Sequence, residues 1–139
     1  MRTTRSNWVL ALGLLAIAAL ACSMSTANLS SLKLGKDKSV STETSTFGPN
    51  DTVYAVAIVS NAPGKVKVKG RVLFEDVPGQ QAGPAPGFEK TLEMPGSGTA
   101  TFYFTATDGW PKGKYKVETT LLDENDAQKD QKTSSFTVS

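Results

Sequence analysis

Apolar and polar residues alternate with a period of two along much of the chain. Lys65–Phe74 is the clearest case. Val66, Val68, Gly70, Val72 and Phe74 fall on one side, and Lys65, Lys67, Lys69, Arg71 and Leu73 on the other. A strand sends successive side chains to opposite faces, so this pattern predicts one buried face and one wet face. Thr99–Thr107 repeats it, with Ala100, Phe102, Phe104 and Ala106 inward and Thr101, Tyr103 and Thr105 outward. Lys114–Leu122 groups Tyr115, Val117, Thr119 and Leu121 on one face. Thr52–Ser60 (TVYAVAIVS) is almost wholly apolar and rich in β-branched residues, which predicts a strand covered on both faces. Shorter strands are expected at Leu29–Leu34, Phe88–Met94 and Thr133–Ser139; in the first, Leu29 is out of phase with Leu32 and Leu34.

Glycine and proline separate these runs. Gly48-Pro49-Asn50-Asp51, Asn61-Ala62-Pro63-Gly64 and Pro95-Gly96-Ser97-Gly98 are turn sequences, and Asp108–Gly113 is a corner. Pro78–Gly87 (PGQQAGPAPG) is expected to be a loop, because proline has no ladder donor and glycine resists ordering. Asp123–Lys132 looks like a polar turn region, and Gly35–Thr46 is expected either to extend an N-terminal tether or to form an irregular edge. No stretch after Cys22 shows a helical period. The expected fold is all-β: a single antiparallel sandwich of about seven strands.

The N-terminus follows a different rule. Arg2 and Arg5 precede an apolar run, Trp8–Ala21, and small polar residues follow it. The run is shorter than the about 20 residues needed to span a bilayer, and its charges and small-residue end fit a secretory signal peptide. Its last residues, Ala19-Leu20-Ala21-Cys22, resemble a bacterial lipobox, with Ala19 where that pattern most often has leucine. The resemblance implies cleavage just before Cys22 and a lipid on the cysteine. Ala19-x-Ala21 and Ser25-Thr26-Ala27 also fit ordinary signal peptidase, which would leave a free exported domain. The expected organisation is a signal peptide helix over 1–21, an acylated cysteine with tether and edge strand over 22–46, and a sandwich over 47–139. The expected location is the cell membrane or outer membrane.

Export changes the meaning of the composition. The net charge of +2 comes from Arg2 and Arg5, so the mature chain is balanced and gives no reason to expect a nucleic-acid partner. Cys22 is the only cysteine, so no disulfide forms within the chain. There is no histidine, which excludes Ser-His-Asp and Cys-His catalysis and the usual zinc sites. Asp123, Asn125, Asp126 and Asp130 gather in one region without the spacing of a calcium loop. Glu75 and Asp76 are neighbours on a strand and point apart, which suits them poorly to joint acid–base work. The expectation is no enzyme, no cofactor and no metal.

Trp110-Pro111-Lys112-Gly113-Lys114-Tyr115-Lys116-Val117 resembles the E–F corner and F strand of immunoglobulin-like and fibronectin type III-like domains of bacterial envelope proteins. The resemblance implies an immunoglobulin-like sandwich over 47–139, with Tyr115 as the corner tyrosine and Val117 where the second immunoglobulin cysteine would stand. It also sets strand 114–122 beside strand 65–74. Lys114 and Lys116 then join Lys65, Lys67, Lys69 and Arg71 in one candidate cationic face. Trp110, with Pro84 and Pro86 of the Pro78–Gly87 segment, forms a candidate binding corner and loop. The expected function is a lipid-anchored, monomeric binding or accessory module that meets an envelope protein or anionic polymer. The alternatives are a protease inhibitor acting through the Pro/Gly-rich loop, or a structural spacer.

Overall fold

A computed structural model describes residues 26–139, so the predicted signal peptide and Cys22 lie outside the described residues. Eight strands follow one another: β1 (Asn28–Gly35), β2 (Thr46–Phe47), β3 (Val53–Ser60), β4 (Val66–Asp76), β5 (Gly83–Met94), β6 (Gly98–Phe104), β7 (Gly113–Asp123) and β8 (Gln128–Val138). They form two sheets, of order β1-β3-β6 and β2-β8-β7-β4-β5. Every pairing is antiparallel except the short one between β2 and β8. The all-β sandwich expected from the alternation is what forms.

The alternating residues meet between the sheets. Val53, Ala55, Ala57 and Val59 of β3 and Ala100, Phe102 and Phe104 of β6 face Val66, Val68 and Val72 of β4, Tyr115, Val117 and Leu121 of β7, and Phe136 and Val138 of β8, all buried. Gly70 continues the inward row of β4 beneath the ring of Phe102, where a β-carbon would stand 2.8 Å from Phe102 Cδ1. With no disulfide, these apolar faces supply the main driving force for folding, at about 25 cal/mol per Å² buried.

Three expectations need correction. Leu29 is not a misfit, because a β-bulge between Leu29 and Ser31 resets the phase so that Leu29 and Leu34 both reach the core. β1, the expected edge strand, thereby joins Ala27, Leu29 and Leu34 to the core shared with 47–139. Pro84 and Pro86 lie within β5, not in a loop. β5 is an edge strand, where the missing proline N–H can face away from the ladder. The β4–β5 register passes from Arg71↔Glu89 to Leu73↔Pro84, so Ala85–Phe88 bulge from the ladder, and Ala85 is buried. Finally, β8 begins at Gln128, inside the segment expected to be a turn, because a strand flanking the side of the sandwich carries polar residues on both faces.

The connections gather at two ends. At the end where β1 starts lie the turns 61–65, 95–97 and 124–127. At the opposite end lie 48–52 and the three longest segments, 36–45, 77–82 and 105–112.

Candidate binding surfaces

The expected cationic face lies on the outside of the five-stranded sheet, and β4 and β7 are indeed neighbours. It is not a bare cationic surface. Arg71 Nε donates to Glu118 Oε1 at 2.7 Å, and Lys69 Nζ reaches Glu89 Oε1 at 2.8 Å. Lys67 Nζ donates to Asp126 Oδ1 at 2.9 Å, and Lys116 Nζ lies 3.8 Å from Glu75 Oε1. The Lys69 hydrogen bond holds the Glu89 carboxyl below the usual carboxylate range, and the Asp126 bond raises the Lys67 ammonium above its ordinary value. Lys65 and Lys114 are exposed and make no ion pair among the described residues. The register delivers acids from β5 and β7 next to the cations of β4, so the face is a mixed-charge lattice. Pairs this exposed are screened by water, and the interspersed acids leave little net field for an anionic polymer.

Trp110 is only 3 % exposed, so it is not an external contact residue. Its ring stands 4.9 Å from Phe88, 5.5 Å from Tyr115 and 5.8 Å from Phe136 by centroid, and it plugs the long-loop end of the core. Trp110 Nε1 donates to the Asp51 carbonyl at 2.9 Å, and its amide donates to Pro49 O at 2.7 Å. Tyr115 O–H donates to the Pro111 carbonyl at 2.5 Å. Burial pushes the Tyr115 phenol above its ordinary pKa. These bonds fasten segments 48–52 and 105–112 to one another.

The neighbouring segment 36–45 is braced by carboxylates. Asp37 accepts from the Ser39 hydroxyl at 2.7 Å and from the Ser41 amide, which hold its carboxyl below the usual range. Asp51 accepts from the Gly48 amide at 2.7 Å and lies 3.3 Å from Lys36 Nζ; its carboxyl is lowered, mainly by the amide. Val40 sits at φ 48° with its side chain over Gly35. Segments 36–45, 48–52 and 105–112 are thus tied by side-chain bonds.

At the other end, the acidic cluster is divided among separate tasks. Asp123 accepts from the amides of Ala127 and Asn125, Asp126 serves Lys67, and Asp130 Oδ2 accepts from the Leu29 amide at 2.7 Å, linking β8 to β1. Among the described residues no group of three or more His, Cys, Asp or Glu is placed to hold a metal ion. Two shallow grooves, of about 440 and 290 Å³, share Lys65, Val66 and Glu124 at this end.

One surface escaped the sequence reading. The outward side of β3, expected to be covered, is open among the described residues. Tyr54 pairs with Tyr103, Val56 with Thr101 and Ile58 with Thr99, all on the outside of the three-stranded sheet. Tyr103 is 55 % exposed and Ile58 38 %, the two large hydrophobic side chains that stand out in the solvent. The tyrosine rings lie 6.3 Å apart.

No protein-family model matches the chain. No curated protein matches it either. Solved structures do. A β-glucuronidase from Bacteroides uniformis, covalently bound to cyclophellitol-6-carboxylate aziridine, matches with a TM-score of 0.52 at 16% identity over 81% of this chain and 14% of its own. A β-D-mannosidase from Dictyoglomus thermophilum matches with a TM-score of 0.55 at 16% identity, over 81% of this chain and 13% of its own. Akkermansia muciniphila OgpA matches with a TM-score of 0.52 at 10% identity, over 80% of this chain and 28% of its own. The chain spans less than a third of the length of each. At these identities the likeness is one of fold alone: an all-β domain that recurs inside larger proteins.

Proposed function

We propose that this chain is a non-catalytic binding or accessory module of the bacterial cell envelope, held by a lipid on Cys22, that offers its long-loop end to a protein partner. One observation carries the reading. The three longest connections, 36–45, 77–82 and 105–112, gather with 48–52 at a single end of the sandwich, opposite the start of β1, and Trp110, Tyr115, Asp37 and Asp51 brace all but 77–82. Loops fixed on a rigid scaffold are where such folds carry recognition. The ion-paired outer face of the five-stranded sheet argues against an anionic polymer as the main ligand. The protease-inhibitor alternative would have to act through 77–82 alone, because Gly83–Gly87 belong to β5.

Two measurements test the proposal. Mass spectrometry of the mature N-terminus, with Cys22→Ala as control, reports the acyl groups. A photo-crosslinking residue at Lys38 or Gln80 is expected to trap an envelope protein, whereas one at Thr133, on the outside of the five-stranded sheet, is not. Identical adducts from all three positions, or none from the loop positions, would refute the loop-end reading.

A further inference from the structure

The open face of the three-stranded sheet differs from the rest of the surface in its charges as well as its apolarity. The outward residues of β1, β3 and β6 include no carboxylate. Lys33 stands opposite Val56 on β1, and Lys90 reaches over from β5 with Nζ 3.7 Å from the centroid of the Tyr103 ring. Glu43, bridged to Gly35, marks the rim. Elsewhere acids are interspersed among the cations: Lys67, Lys69, Arg71 and Lys116 on the other sheet, Lys36 at the loop end and Lys129 at the short-turn end each sit beside one, while Lys38, Lys65, Lys112, Lys114 and Lys132 make no ion pair among the described residues.

The chain also enters the fold on this sheet. β1 is its edge strand, Asn28 stands opposite Ser60, and Thr26 Oγ donates to the Asn61 carbonyl at 3.1 Å. Cys22 precedes Thr26 by four residues, a reach of about 14 Å at full extension. A lipid on Cys22 therefore keeps the edge of this sheet within about 14 Å of the bilayer surface.

From these two observations we infer that the outer face of β1-β3-β6 rests on the bilayer: Tyr54 and Tyr103 at headgroup depth, Val56 and Ile58 toward the acyl boundary, and Lys33 and Lys90 toward lipid phosphates. The inference rests on the lipid-anchor reading above and names the surface that the anchor brings into use. Tyrosine and lysine suit that depth, because each joins an apolar body to a polar tip that stays in water. Size points the same way. Three strands spaced about 4.8 Å apart and about seven residues long cover roughly 300 Å². A stable protein interface buries about 800 Å² per partner, so the face is too small to hold a second copy of the chain by itself. For a tethered surface a weak contact suffices, because a short linker raises the local concentration to about the millimolar range. The five-stranded sheet then faces away from the membrane, and the long-loop end projects along it.

The test uses the full acylated protein on vesicles of phosphatidylethanolamine and phosphatidylglycerol doped with a lipid spin-labelled in the headgroup. Single cysteines, which the described domain otherwise lacks, carry a fluorophore at Thr101→Cys or Thr99→Cys on the open face and at Thr133→Cys on the opposite sheet. Quenching is expected to be several-fold stronger at 101 and 99 than at 133, and Ile58→Lys with Tyr103→Ser should reduce that difference. Equal quenching at all positions, stronger quenching at 133, or a crosslink from the face to another protein or a second copy would overturn the inference while leaving the anchor intact. A mature chain without acyl mass at Cys22 would overturn both.

Discussion

Gly70 offers a direct check on how the two sheets meet. It faces inward in mid-β4, and an added methyl would stand 2.8 Å from Phe102 Cδ1 and 2.9 Å from Cε1, closer than real side chains approach. Phe102 is buried and stacks on Phe104 at 6.3 Å, so the ring has little room to retreat. Overpacking of this kind costs about 1–3 kcal/mol. Replacing glycine within a strand returns about 0.5–1 kcal/mol through the unfolded chain. Gly70→Ala is therefore expected to destabilise the domain by about 1–2 kcal/mol. Trp110 is the only tryptophan after the predicted signal peptide and is buried, so its emission follows urea unfolding. With a slope of about 1–3 kcal/mol per molar urea, the midpoint should fall by about 1 M. Adding Phe102→Leu should relieve the clash, so the double variant loses less than the sum of the two single losses. A Gly70→Ala protein as stable as the parent, or a strictly additive double variant, would refute this account of the sheet contact.

Other expectations follow from single bonds and charges. Tyr115→Phe keeps the ring stacked on Phe136 but removes the bond to Pro111 O, and should cost about 1 kcal/mol in the same urea assay. Lys69→Ala should change stability by less than about 0.5 kcal/mol, because its pair with Glu89 is solvated; Arg71→Ala should cost more, because Glu118 is the more buried acid. Asp37, Asp51, Glu89 and Asp123 all have lowered pKa values, so the unfolded chain takes up protons more readily. Their contribution is present above the unfolded carboxylate range, about pH 4, and is lost as pH falls through the lower folded values. The melting temperature should therefore drop on acidification below about pH 4, and Asp123→Asn should flatten part of that drop. With no histidine, it should be nearly level between about pH 5.5 and 8.

The parts of the fold that were legible in the sequence are those where one face is apolar and the other polar. β4, β6 and β7 announce themselves by period two. The hidden parts have physical causes. The bulge at Leu29/Ser31 breaks the period that would have tied β1 to the core. Gly83–Gly87 has the composition of a loop, yet an edge strand with a bulge accommodates it. Trp110 sits between proline and glycine and looks exposed; its cover comes from Phe88 and Phe136, both distant in sequence. The cations were legible one by one, but their partners were not: Glu118 lies 47 residues from Arg71, and Asp126 lies 59 from Lys67.

β3 is the instructive failure. Its sequence predicted cover on both sides, and the described residues supply cover on one. The residues that break the expectation are not charged, as an ordinary solvent face would be, but Tyr54, Val56 and Ile58, opposed by Tyr103 and Thr101 on β6. A half-exposed tyrosine and a half-exposed isoleucine on a flat sheet cost solubility unless something shields them. After loss of the predicted signal peptide the chain would carry balanced charge, and half of the lysines away from this face (Lys36, Lys67, Lys69, Lys116 and Lys129) pair with acids. The chain enters the fold on the edge strand of the same sheet, a few residues after the one cysteine that a lipobox would acylate. On the proposed reading, a bilayer held close by that anchor would supply the cover for β3 that the fold does not provide, and the apolar run Val53–Val59 would then lie between two apolar neighbours.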